Sequence, residues 1–178
     1  WMSILSKAKD SVLWIMSDNI MSEENLKNFA LKSGIDVKRL IFAKLMPLDE
    51  HLKRLQLGDL ILDTFPYNAH TTCSDALRVN LPVLTIKGES FPSRVAASLL
   101  NSIDMNELVT ENIEEYEKLA LKIFNNNDYF ENIKSKIKEN KISSNLFKSA
   151  IYTKNIEKAY TIAYQNFVKG ELPKNIEL

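Results

Sequence analysis

The chain has 178 residues, 45% hydrophobic and 26% charged, with 23 basic and 23 acidic side chains; this is the profile of one globular domain able to bury a real core. A net charge of zero without a charged block leaves no electrostatic footprint for nucleic acid, and no apolar stretch approaches the roughly 20 residues of a membrane span. The single cysteine excludes an internal disulfide and fits a reducing compartment, so a cytoplasmic location is expected.

The N-terminal stretch "WMSILSKAKDSVLW" reads as an amphipathic helix without a cap. It lacks the long apolar core and small-residue cleavage site of a signal peptide, and the chain reads as a fragment of a larger protein. The apolar run 11–17 is a predicted strand. Ser22 is the expected cap of the next helix, with Glu23 and Glu24 in its first turn and Gly34 ending it. Strand 39–45, helix 48–57, strand 59–64, helix 71–80, strand 82–87, helix 93–103 and a short strand 107–110 follow. Strand and helix alternate, and the strands are continuous apolar runs. That pattern predicts an α/β fold, a parallel sheet with helices on both faces.

From residue 112 only helical periodicity remains. Tyr116, Leu119, Ala120 and Ile123 share a helical spacing, asparagines 125–127 read as a helix-ending loop, and a long closing helix over 151–170 stops at Gly170. The predicted organisation is one lobe over 1–178, with its sheet in 1–111 and closing helices in 112–178.

The polar stretch "NAHTTCSDAL" follows strand 59–64 directly. Open parallel sheets bind ligands beyond the carboxyl ends of their strands. No Gly-rich phosphate fingerprint is present. A phosphate would instead sit at the N-terminus of the helix starting near Thr71, where free N–H groups and the helix dipole favour an anion. Thr71 and Thr72 add hydroxyls, His70 a ring N–H, and Asp75 an acceptor for a ribose hydroxyl. The same residues also make an ordinary helix cap, and both readings stand at this point.

His51 and Arg54 lie one turn apart on the helix after strand 39–45 and share a face, as a ligand contact or as solvated charge. Cys73 reads as a small helix residue rather than a nucleophile served by His70. "GESFPSRVAAS" (88–98) reads as a turn into a helix that could close over a ligand, or whose Arg94 could instead pair with a carboxylate. Two unpaired histidines and one cysteine make no metal site.

Taken together, "EHLKRLQLGDLILDTFPYNAHTTCSDAL" and "LPVLTIKGESFPSRVAASLL" resemble the C-terminal catalytic lobe of the O-linked N-acetylglucosamine transferase family, which includes the SPINDLY-type enzymes. "SVLWIM", "RLIFA", "EEYEKLALKI" and the closing "YTKNIEKAYTIAYQNFVKGELPKNI" extend the likeness over nearly the whole chain. The resemblance implies the C-terminal Rossmann-like half of a GT-B glycosyltransferase. It also implies an inverting, metal-independent enzyme that needs no cofactor and moves a sugar, N-acetylglucosamine first among the options, from a UDP-sugar to Ser/Thr of an acceptor protein. GDP-fucose as donor, asparagine as acceptor, or a degenerate interaction domain are the alternatives.

By position, His70, Thr71 and Thr72 would hold the diphosphate and Asp75 the ribose. His51 and Arg54 would lie at the base, with the backbone near Met46 reading its edge. The resemblance places no certain catalytic residue in this lobe. The family loop carrying a Gln and a Lys toward the diphosphate would lie before this chain, as would the acceptor-binding lobe and any tetratricopeptide repeats. Where the family usually has a Lys after the proline of this loop, the chain has Leu48; where Gly often follows the His-Thr-Thr triplet, it has Cys73.

Overall fold

The computed structural model describes residues 1–178. Five parallel strands alternate with helices. They are β1 (Leu13–Met16), β2 (Leu40–Ala43), β3 (Ile61–Leu62), β4 (Val83–Ile86) and β5 (Val109–Thr110). The helices are α1 (Met2–Lys7), α2 (Ile20–Lys32), α3 (Leu48–Leu55), α4 (Thr71–Arg78), α5 (Val95–Asn101), α6 (Ile113–Asn125), α7 (Asn127–Ser143) and α8 (Ser149–Val168). The expected parallel α/β arrangement is present, and every strand pair is parallel.

The strands form two sheets rather than one, β1-β2 and β3-β4-β5. β4, in the middle of the larger sheet, is buried at every residue. This is what a continuous apolar run covered on both faces requires. β1 departs from the expectation: its exposure alternates, with Trp14 41% and Met16 60% exposed. Between the two sheets lies a largely apolar cavity of about 830 Å³, lined by residues of β1, β3, α1, α3 and α6.

The main core joins Cys73, Ala76 and Leu77 of α4, Val83 of β4, Ala96 and Leu100 of α5, and Ile133 and Ile137 of α7. Their apolar burial contributes about 25 cal/mol per Å² and fixes α4 against the sheet. A smaller core under β1 and β2 holds Met2, Leu5, Ala30, Ile35 and Leu40. Arg39 locks it: Nε donates to Ser11 O at 2.7 Å, Nη1 to Leu5 O at 2.9 Å and Nη2 to Ala8 O at 2.6 Å. One guanidinium thus satisfies the carbonyls where α1 ends and β1 approaches.

The cap of α2 is Asn19, not Ser22. The Asn19 Oδ1 accepts from the N–H of Met21 at 2.9 Å and of Ser22 at 3.4 Å. The helix therefore starts one residue after Asn19, and Ser22 lies inside its first turn. Gly34 adopts φ +73° just past the helix and Gly170 φ +71° past α8, the left-handed conformation that ends a helix at least cost to glycine. Asn126 caps α7 by accepting from Tyr129 N–H at 2.9 Å, so the asparagine run both ends α6 and starts α7. α8 runs 20 residues with none buried; the closing helix exposes its aromatic residues rather than covering the core.

Candidate functional site

α4 begins where β3 ends, across the loop 63–70. Its N-cap position is His70, and no side chain caps the helix. The N–H groups of Thr71, Thr72 and Cys73 consequently lack the intrahelical acceptors that later residues have. Thr71 and Thr72 are exposed. The ordinary capping reading of this stretch does not hold, because neither threonine hydroxyl is turned back to close the helix end. A helix N-terminus with free donors and positive dipole character is a ready anion site.

His70 is built into an aromatic cluster. Its ring stacks on Tyr67 with centroids 5.0 Å apart and an interplanar angle of 18°. Phe91 meets it edge-on at 6.0 Å. The His70 Nε2 is buried and has no hydrogen-bond partner, so a donor or acceptor from a ligand would satisfy a group the fold leaves open. Tyr67 and Phe91 are 63% and 78% exposed, and they carry the ring cluster to the surface beside the α4 terminus. The turn 88–94 therefore reaches the site through Phe91. Its Arg94 is exposed and pairs with no carboxylate, so of the two readings of this turn the carboxylate pair is not formed.

α3 brings the second pair. Arg54 Nη1 donates to Lys44 O at 2.8 Å, and Nη2 lies 2.9 Å from His51 Nδ1. A guanidinium only donates, so Nδ1 accepts and the His51 proton sits on Nε2, the nitrogen left free. Arg54 also lies over the Trp14 ring, 5.8 Å from its centroid. These contacts fix the loop 44–47 that carries half-buried Met46. His51, Arg54, Thr72, Asp63 and Thr64 all line the cavity between the sheets. The structure thereby brings the α3 pair and the α4 terminus to one opening. Met46, His70, Thr71 and Asp75 lie outside that lining, so α4 reaches the cavity through Thr72, with Asp75 half-buried one turn into the helix.

Cys73 is fully buried, and burial, with the nearby Asp63 charge, pushes its thiol up to about 12. It is a packing residue and not a nucleophile, as its sequence context suggested.

Sequence reasoning missed Asp63, Asn68 and Thr85, all buried. Asp63 Oδ1 accepts from Thr64 N–H at 2.8 Å and Ala69 N–H at 2.7 Å, and Oδ2 accepts from Thr85 Oγ1 at 2.6 Å. Burial holds its carboxyl above the ordinary 3.8, while hydrogen bonds from Thr85, Ala69 and Thr64 and the charge of His70 pull the other way. The one available signal was a carboxylate at the end of an apolar strand; its partner Thr85 lies 22 residues away.

The fold is thus that of a Rossmann-like lobe with a donor-rich helix terminus at the carboxyl end of its sheet. Residues 1–156 match the model of glycosyl transferase family 41, and the chain belongs to that family. It is 31% identical over 96% of its length to the UDP-N-acetylglucosamine--peptide N-acetylglucosaminyltransferase of Caenorhabditis elegans, covering 15% of that protein. It is 27% identical over its whole length to the probable enzyme of that name, SEC, from Arabidopsis thaliana, covering 18% of it. Among solved structures it resembles a variant of the Thermobaculum terrenum O-GlcNAc transferase, with TM-score 0.84 and 26% identity over 90% of this chain and 31% of that one. The chain spans under a fifth of the length of these two curated relatives.

Proposed function

We propose that this chain is the donor-binding lobe of an inverting, metal-independent transferase that moves N-acetylglucosamine from a UDP-sugar to Ser or Thr hydroxyls of proteins. The observation that carries this reading is the α4 terminus: uncapped N–H groups, exposed Thr71 and Thr72, and the unpartnered Nε2 of His70 beside them. Both curated relatives are named for peptide N-acetylglucosaminyl transfer, which supports the donor and acceptor classes.

In such a transfer the leaving group is a nucleoside diphosphate, and negative charge grows on it as the sugar departs. Donors fixed in advance toward developing charge are worth about 3–4 kcal/mol each. Thr71, Thr72, His70 and the α4 dipole supply that stabilisation here. Asp75 accepts from the ribose. The free Nε2–H of His51 and the Arg54 side chain meet the base, and the backbone near Met46 reads its edge. The acceptor protein and the remaining catalytic groups come from the rest of the enzyme, so the lobe by itself binds donor without turning over. No helix of the chain is long and apolar enough to cross a membrane; a cytoplasmic setting with nucleotide-sugar and protein partners, and no nucleic acid, completes the reading.

Competitive titration with UDP and GDP tests the reading. UDP binding that excludes GDP is expected; preference for GDP, or binding of neither, would overturn it.

A further inference from the structure

The loop that leads into the donor site is tied down by one buried carboxylate. Asp63 is 6% exposed and lies at the carboxyl end of β3. Its Oδ1 holds the first residue of the loop, through Thr64 N–H, and the last before His70, through Ala69 N–H. Its Oδ2 anchors both to β4 through the Thr85 hydroxyl. The Asp63 carbonyl in turn accepts from the Tyr116 hydroxyl of α6 at 3.0 Å.

Asn68, 1% exposed, extends the brace. Its Nδ2 donates to Thr64 O at 2.8 Å and to Ile86 O at 3.4 Å, and its N–H donates to Pro92 O at 3.0 Å. The turn that presents Phe91 is thereby linked to the loop that presents His70. A buried carboxylate is costly unless it is fully hydrogen-bonded. Here both carboxylate oxygens accept, Oδ1 from the two ends of the loop and Oδ2 from β4.

We propose that Asp63 is a positioning residue of the donor site, holding loop 64–69 so that His70 and the free N–H groups of α4 converge on the diphosphate. This rests on the donor-site reading above. An Asn at position 63 keeps an oxygen that accepts from both N–H groups and can donate from Nδ2 to Thr85 Oγ1, so it should replace Asp. An Ala leaves the Thr64 and Ala69 N–H groups without this acceptor and frees the loop.

The test combines amide hydrogen exchange with UDP titration on Asp63→Ala, Asp63→Asn and Thr85→Val, with Ile137→Ala of the α7 core as a control for lost stability alone. In Asp63→Ala, exchange at Thr64 and Ala69 should rise at least tenfold and UDP affinity fall at least tenfold. Asp63→Asn should hold both within threefold of the parent. Thr85→Val, which removes one of the bonds and spares the carboxylate, should shift both the same way by at least threefold, and it decides the matter if Asp63→Ala does not fold. Ile137→Ala should lower Tm and leave loop exchange and affinity within threefold. UDP binding equally well to the parent and to the Asp63→Ala and Thr85→Val chains, or falling only in step with Tm as in the control, overturns the proposal. UDP failing to bind the parent overturns the donor-site reading, and the proposal with it.

Discussion

Arg54 and His51 form a fixed pair: the guanidinium donates to Nδ1 across 2.9 Å while its other arm holds Lys44 O at 2.8 Å. One side chain therefore sets both the tautomer of the imidazole and the path of the loop after β2. Two donations in a planar fork suit arginine and not lysine, whose ammonium is a single point charge. Arg54→Lys should weaken UDP binding at least tenfold by calorimetry, despite keeping the charge. An affinity within twofold of the parent would separate Arg54 from the site.

Thr71 and Thr72 expose hydroxyls that the helix does not use as a cap. Substitutions at such positions normally change stability by less than about 0.5 kcal/mol. The double variant Thr71→Val, Thr72→Val should therefore melt within a few degrees of the parent while losing at least tenfold in UDP affinity. A large drop in Tm would mean that the hydroxyls serve the fold.

Asp63 carries a pH signature. Its folded carboxyl is held above the ordinary value chiefly by burial, so the folded state binds this proton more readily than the unfolded chain does. Ionised Asp63 then subtracts stability at pH above its folded pKa. The loss is relieved as pH falls through that value and is absent below the unfolded one. Asp63→Asn should raise Tm near pH 7, with the gain shrinking as the pH is lowered into the carboxylate range. A gain that stays constant with pH would show that desolvation of the charge is not its source.

Gly88 lies where the turn closes on Ser93. A Cβ there would fall inside contact distance of Ser93 Oγ and 2.7 Å from Ser93 Cβ, and Ser93 is 2% exposed. Overpacking of this kind costs about 1–3 kcal/mol. Gly88→Ala should lower the stability measured by denaturant titration by that amount, and an unchanged midpoint would show that the turn gives way freely.

Much of this molecule was legible in its residues. "PVLTIK" reads as a central buried strand because it is a short run of β-formers between turn signals, and β4 is buried at every residue. His70, Thr71 and Thr72 were legible because a helix start beyond a strand needs only local sequence to be recognised. Asn19 was missed as a cap because Ile20 and Met21 after it are apolar yet 75% and 70% exposed, which obscures where the helical face begins. The division into two sheets was hidden because Trp14 and Met16 look like core residues in any apolar run. Asp63, Asn68 and Thr85 were invisible as a group, since what makes them one is contact between β3, its following loop and β4.

The most direct measurement is calorimetric titration of the chain and its His70→Ala variant with UDP. His70 is the residue whose buried Nε2 lacks a partner, and its loss removes a donor without opening the main core. The donor-lobe account predicts UDP binding by the parent and at least a tenfold loss in the variant, with Tm preserved. Equal binding by the two chains, or none by the parent, would contradict it.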